Sequence, residues 1–146
     1  MKPEEFLAAN TLTYRELPSD EYYFHTNYYW IDNFLPFEMR ENASKYHLLD
    51  DGLYTGYLWH VFSFKILKCL SGEAAREALL EKKPGMCFIY FVHERKTFIL
   101  DLSESNPLMF DEFTEVYITD IDYRWTYVKT HEDPRNGPYF HEKGMG

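Results

Sequence analysis

Cysteine is scarce, with only Cys69 and Cys87 in 146 residues. Two thiols are too few for a disulfide framework, and their spacing matches no zinc motif. Both lie in apolar sequence, which predicts buried, unreactive thiols. Long apolar runs are missing as well: the longest, Met86 to Val92, falls far short of the ~20 residues a membrane helix needs. The opening residues Met1 to Leu7 hold no apolar h-region, so no signal peptide, no membrane contact and a cytoplasmic location are expected. No Walker loop, Gly-x-Gly-x-x-Gly, His-Glu-x-x-His or Gly-x-Ser-x-Gly elbow occurs, so no cofactor or metal is expected. Basic residues are in deficit, 15 Lys and Arg against 24 Asp and Glu, for a net charge of −9. Such a surface repels phosphate backbones and argues against nucleic acid as a direct partner. It suits a basic protein partner instead, steered toward it in a salt-sensitive way.

What is abundant is aromatic. Thirteen Tyr, twelve Phe and three Trp make up 19% of the chain. Each ring can bury about 150–250 Å², so a few ring pairs dominate the core. Trp59 and Trp125 are expected in that core. Rings left over supply a binding surface or a contact between copies in a homo-oligomer. One domain spanning residues 1–146 is of ordinary size and large enough to fold without a staple.

Helical signals dominate the first half. Pro3, Glu4 and Glu5 suit a helix start over the first dozen residues. A turn is expected near Pro18. Ser19, Asp20 and Glu21 then open a helix from about Asp20 to Asn33, with Ser19 as a capping hydroxyl and Trp30 and Phe34 four apart on one face. Pro36 interrupts it, and Phe37 to Tyr46 reads as a second short helix. Asp50-Asp51-Gly52 is a turn signal. Tyr57 to Phe64 is apolar on both faces, as in a buried strand, though its length alone does not exclude a helix. Ser71 is placed to cap a helix whose stripe is Ala74, Ala75, Ala78 and Leu79, with Lys82 and Lys83 at its C-terminal dipole and Pro84-Gly85 as its stop.

The second half alternates. Met86 to Val92 suits a central strand, followed by a hairpin loop over His93 to Lys96 and a return strand, Thr97 to Leu102. An excursion over Ser103 to Phe113 precedes a second strand pair, Glu115 to Thr119 and Arg124 to Thr130. In the latter, Trp125 and Tyr127 face one way and Thr126 and Val128 the other. Tyr139 to His141 is a last short strand. Helices first and sequential strands after predict an α+β domain: an antiparallel sheet of four to six strands, mostly C-terminal, with N-terminal and central helices on one face.

Leu58-Trp59-His60-Val61-Phe62-Ser63, the helix start Glu73-Ala74-Ala75-Arg76, and the run from Trp125-Thr126-Tyr127 through Thr130-His131-Glu132 to Gly137-Pro138-Tyr139-Phe140 are similar to motifs of a family of small bacterial proteins catalogued only as a domain of unknown function. The resemblance covers roughly residues 22–141 and implies a cytoplasmic bacterial protein. It implies no activity.

Few positions carry chemistry. His60, inside the apolar Trp59–Phe62 segment, suits a general base or a ligand, or a buried imidazole bonded to backbone. Ser63 is a nucleophile only with a base in reach. His131, Glu132 and Asp133 form a titratable triplet beside a Pro/Gly loop, with Tyr139 just beyond it. His131, Asp133 and His141 offer metal ligands without a matching spacing, whereas the bland reading has the carboxylates bonding loop amides. The expectation is therefore a binding or accessory protein, immunity-like in masking a basic partner. The rival is an enzyme or small-ligand binder with a cleft near His60 and His131–Asp133.

Overall fold

The computed structural model describes residues 1–41, 49–50, 53–54, 58–133 and 135–145. Helix α1 spans Pro3–Ala9 and starts, as expected, with Pro in its first turn. A short strand, β1 (Tyr14–Glu16), follows. Next comes a helical stretch built of α2 (Glu21–Phe24), a π-turn (His25–Tyr29) and α3 (Trp30–Phe34). It covers the helix expected over Asp20 to Asn33, although Asp20 at its N-cap makes no side-chain capping bond.

Of the helix expected over Phe37 to Tyr46, Phe37–Met39 forms a 3-10 turn and Arg40 and Glu41 are helical. The remainder lies outside the described residues, as do Asp51 and Gly52 of the expected turn and Tyr57. Strands β2 (Leu49–Asp50) and β3 (Leu53–Tyr54) on either side of that turn pair antiparallel.

The buried strand expected over Tyr57 to Phe64 is corrected: His60–Ser63 is a one-turn helix, α4, entered through a turn at Leu58 and Trp59. Its apolar character on both faces comes from deep burial, since Leu58, Trp59, Val61 and Phe62 are each 3% exposed or less. A fully buried helical turn and a buried strand look alike over so few residues.

Strand β4 (Leu70–Ser71) precedes α5 (Glu73–Lys82). Ser71 does not cap α5. It pairs with Tyr139 in the sheet, and Gly72 takes the N-cap at φ +64°. The α5 stop is as expected, with Lys83 left-handed at φ 48° just before Pro84-Gly85. Strands β5 (Met86–Phe91), β6 (Lys96–Asp101), β7 (Val116–Asp120), β8 (Trp125–Lys129) and β9 (Tyr139–Glu142) complete the chain, with a 3-10 helix over Pro107–Glu112 between β6 and β7.

The fold is α+β, and its main sheet is antiparallel throughout, in the order β1-β6-β5-β7-β8-β9-β4. Among the described residues its seven strands exceed the four to six expected. The two extra ones are the outermost strands, β1 and β4, which carry exposed residues and so no buried alternation for a sequence to display. Met86–Phe91 is central, between β6 and β7.

Helices cover both faces of the sheet, not one. On the first face Ile89, Phe91, Phe98, Leu100, Ile118, Trp125, Tyr127 and Phe140 meet Phe6 and Leu7 of α1, Ala75 and Leu79 of α5, and Phe110. On the second, Tyr90, Tyr117, Val128 and Tyr139 meet Trp30, Ile31, Phe34 and Leu35 and the α4 residues Val61 and Phe62. Trp59 and Trp125 are core residues, 3% and 5% exposed. With both faces covered, every inner strand buries successive residues, which explains how much aromatic area so small a domain absorbs.

Candidate functional site

His60, at the start of α4, and His131, just past the end of β8, both lie against Trp59. The Trp59 ring lies 4.2 Å from the His60 ring and 5.8 Å, edge-on, from that of His131. Burial holds the His60 imidazole below its ordinary pKa; the charges of Glu132 and Glu115 pull it the other way. Ser63 Oγ lies 3.5 Å from His60 Nδ1 and 3.4 Å from the His60 carbonyl. That is a helix-internal contact, too long to activate a hydroxyl for attack.

His131 is anchored by a residue that sequence reasoning missed. Its Nδ1–H and its backbone N–H both donate to Oε1 of Glu115, a carboxylate only 1% exposed. Glu115 Oε2 is buried without a hydrogen-bond partner among the described residues. Removing the imidazole therefore strips a buried carboxylate of its side-chain donor and leaves only the long backbone one, so a His131 variant changes stability before it reports on binding. Glu115 stands one residue before an apolar strand, where an acid looks solvent-facing.

Glu132 and Asp133 are each held by a partner other than the imidazoles. Glu132 accepts from Asn136 Nδ2 at 2.9 Å, and its N–H donates to Thr130 Oγ1 at 2.8 Å. Asp133 accepts from Arg76 Nη2 at 2.9 Å, while Arg76 Nε reaches Asp111 at 3.2 Å. Tyr127 Oη also donates to Asp111, at 2.9 Å. Burial opposes the charge on Arg76, but the Asp111 bond and the Asp133 charge outweigh it and raise its pKa. This group ties α5 to the 3-10 helix and to the β8–β9 loop. His141 donates from Nδ1 to the Lys68 carbonyl at 2.6 Å. His131, Asp133 and His141 thus each serve a different partner, and among the described residues no three His, Cys, Asp or Glu are placed to hold a metal ion.

Tyr139 opens β9. With Phe62, whose ring lies 5.4 Å away, it lines a cleft of about 730 Å³ between the α4–β4 connection and the β8–β9 loop. Gly137 shapes that loop at φ +80°, where an added Cβ would sit 3.2 Å from both Thr130 and the Tyr139 ring. Gly137→Ala is expected to cost about 2 kcal/mol, from the left-handed backbone and the crowded ring together; a urea midpoint equal to wild type would show that the loop relaxes freely. The thiols are inert: burial pushes Cys87 up to about 12 and Cys69, half-buried in the cleft wall, up to about 11.

The most unusual local geometry was not expected from the sequence. In the π-turn, i→i+5 bonding stacks residues five apart, which in an α-helix would diverge by about 140°. His25 and Thr26 therefore lie in line with Trp30 and Ile31, and all four are buried. Tyr23 and Phe24 line up in the same way with Tyr28 and Tyr29, and all four are between 37% and 44% exposed. Three of the rings touch one another, Tyr23–Phe24 at 5.8 Å, Tyr23–Tyr28 at 5.9 Å and Phe24–Tyr28 at 6.2 Å, while that of Tyr29 lies 5.0 Å from His25. Inside, His25 Nδ1 shares hydrogen bonds with Tyr90 Oη at 2.9 Å and Tyr123 Oη at 3.1 Å. Trp30 Nε1 donates to Thr126 Oγ1 at 3.1 Å. The signal in the sequence was a run of aromatic and polar residues repeating at five rather than at three and four.

The family model described as Domain of unknown function (DUF4275) matches residues 1–140. No curated protein and no solved structure matches the chain. Among the described residues no helix is long and apolar enough to cross a membrane.

Proposed function

We propose, for a chain that belongs to the DUF4275 family, a function in binding without catalysis: the aromatic face of the π-turn docks a cationic segment of a partner protein. The observation that carries this reading is that one π-turn leaves four large rings partly exposed, three of them in mutual contact, while burying His25 and Thr26 between them. Monomeric surfaces rarely cluster large apolar groups without use, and π-turns are frequent at functional sites.

Charge selects the partner. From Glu16 through Met39 the chain has five acids, Glu16, Asp20, Glu21, Asp32 and Glu38, and no Lys or Arg. Asp20 and Glu21 flank the rings on the same helix. Rings and carboxylates together favour Lys or Arg side chains, through cation–π contact and charge attraction. The His60–His131 pair supports catalysis less well: Ser63 lies too far from His60 to be activated, and His131 is bonded to the buried Glu115. A cytoplasmic accessory protein of a bacterial cell, immunity-like in masking a basic partner, fits these features.

Comparing wild type with a Tyr23→Ser/Tyr28→Ser double variant tests it. Both substitutions lie on the outer face, so the fold is expected to persist. The expected result is a basic protein retained from native extract at low salt by wild type, released at high salt, and lost by the variant. Equal retention by both overturns the assignment. So does a sedimentation mass that doubles with concentration in wild type alone, which would give the face to a second copy of the chain.

A further inference from the structure

The cleft beside Tyr139 departs from the rest of this acidic molecule. Its rim carries Lys65, Lys68 and Arg135, and no Asp or Glu lines it among the described residues. None of the three cations makes an ion pair among the described residues, which is also true of Lys2, Arg15, Lys83, Arg95, Lys129 and Lys143; what sets the cleft apart is that three cations and no acid line one space. Beneath the rim lie Phe62, Ile66, Leu67 and Tyr139. About 730 Å³ lies within the range of small-molecule sites. We infer that this cleft is a binding site for a small organic phosphate, an apolar body held over the Phe62–Tyr139 wall with its phosphate between Lys65, Lys68 and Arg135.

Two features of the backbone support a built site. The walls are tied to each other: Leu70 and Ser71 pair with Phe140 and Tyr139, and the Gly72 N–H donates to the Pro138 carbonyl at 2.9 Å. The Arg135 loop is held by Thr130 and Glu132, since Thr130 Oγ1 donates to the Asn136 carbonyl and the Asn136 N–H to that of Glu132. Lys65 occupies the second feature. It closes α4 at φ 58°, with its N–H on the Phe62 carbonyl at 3.0 Å and the Ile66 N–H on the Val61 carbonyl at 2.9 Å. That pattern is a Schellman ending, whose left-handed residue is usually glycine. A lysine there bears a backbone penalty that a glycine would avoid, and its exposed head stands at the rim.

The net charge of −9 does not forbid an anion. At physiological salt, charges beyond about 8 Å are largely screened, so the local cations dominate. Glu132, whose charge acts on Tyr139, is the nearby acid, and Asn136 holds it in the loop. Two or three cations suit a phosphate dianion better than a single carboxylate.

Phenyl phosphate, inorganic phosphate and phenol, titrated into the isotope-labelled full chain, test the site by amide shifts at Ile66, Lys68 and Gly137. Phenyl phosphate is expected to bind at roughly millimolar Kd or tighter, about tenfold better than either fragment. Lys68→Ala/Arg135→Ala is expected to weaken it by at least about tenfold with an unchanged urea midpoint. Lys65→Gly is expected to weaken it too while raising that midpoint, which separates lost charge from lost fold. No shift up to roughly ten times that concentration, or equal affinity in the double variant, overturns the assignment.

Discussion

Replacing Trp30 with alanine is expected to lower the unfolding free energy by about 3–5 kcal/mol, the range for deleting a large buried ring. Trp30 is fully buried where the π-turn meets the sheet. Its ring packs 5.2 Å from Phe34 and 6.0 Å from Phe62, so the cavity would open between the long helical stretch, α4 and the sheet. The indole N–H is half of a polar chain: it donates to Thr126, whose hydroxyl lies 2.9 Å from that of Thr119. Trp30→Phe keeps most of the area and loses the donor, so it is expected to cost only about 1–2 kcal/mol. Urea unfolding of both variants checks this. A loss below ~1 kcal/mol for the alanine variant would mean that the sheet face closes over the gap, and that the π-turn is not what seats this helix.

The second large effect is in pH. His25 is 3% exposed, and burial lowers its pKa from the ordinary 6.5 to about 4. Glu21 Oε2 stands 3.6 Å from Nε2, too weak a pairing to offset that burial. The unfolded chain takes up a proton as pH falls below 6.5 while the folded chain resists until about 4. Stability is therefore fully present above pH 6.5 and is lost between there and about 4, by about 3 kcal/mol for a shift of that size. Burial also lowers His60 and His141, with the same sign. The carboxylates held low, Glu4, Asp101 and Asp120, lose their contribution only at more acid pH. Denaturant unfolding of wild type and His25→Gln from pH 7 to 4.5 separates them. The expected outcome is a clearly flatter profile in the variant; parallel profiles would show that His25 is already solvated or charged in the native state.

The pH effect, the Trp30 effect and the exposed aromatic face share one cause, and the sequence shows it only in hindsight. A search for helical spacing finds Trp30 and Phe34, four apart and both buried. It passes over His25 and Thr26, because in an α-helix these would point away from Trp30 and Ile31. The extra residue of the π-turn is stabilised by contacts made a hundred residues away in sequence, to Tyr123 and Thr126. No local pattern contains that information.

The candidate site divides in the same way. His60 stands out as an imidazole in an apolar segment and His131 as part of a titratable triplet beside a Pro/Gly loop, and the structure does bring them to one tryptophan. Their chemistry was not readable. Glu115 as the anchor of His131, and Arg76 as the partner of Asp133, depend on chain crossings of 16 and 57 residues. The cleft cations Lys65, Lys68 and Arg135 look like ordinary surface charges one at a time; only the β4–β9 pairing places them around one space.

By itself the sequence determined whatever is encoded in neighbouring residues. The Pro84-Gly85 stop ended α5, the alternation of Trp125 to Val128 gave each face of β8 its own core, and the polar His93–Lys96 turn folded β5 onto β6. Those features rest on local torsions and on a period of two or of about 3.6, which any short window contains. The tertiary structure alone decided the helical state of His60–Ser63, the exposed strands β1 and β4, the helices on both sheet faces and the π-turn. Each of these is selected by what packs or pairs against it from a distant part of the chain, and burial supplied from outside a segment leaves no period within it.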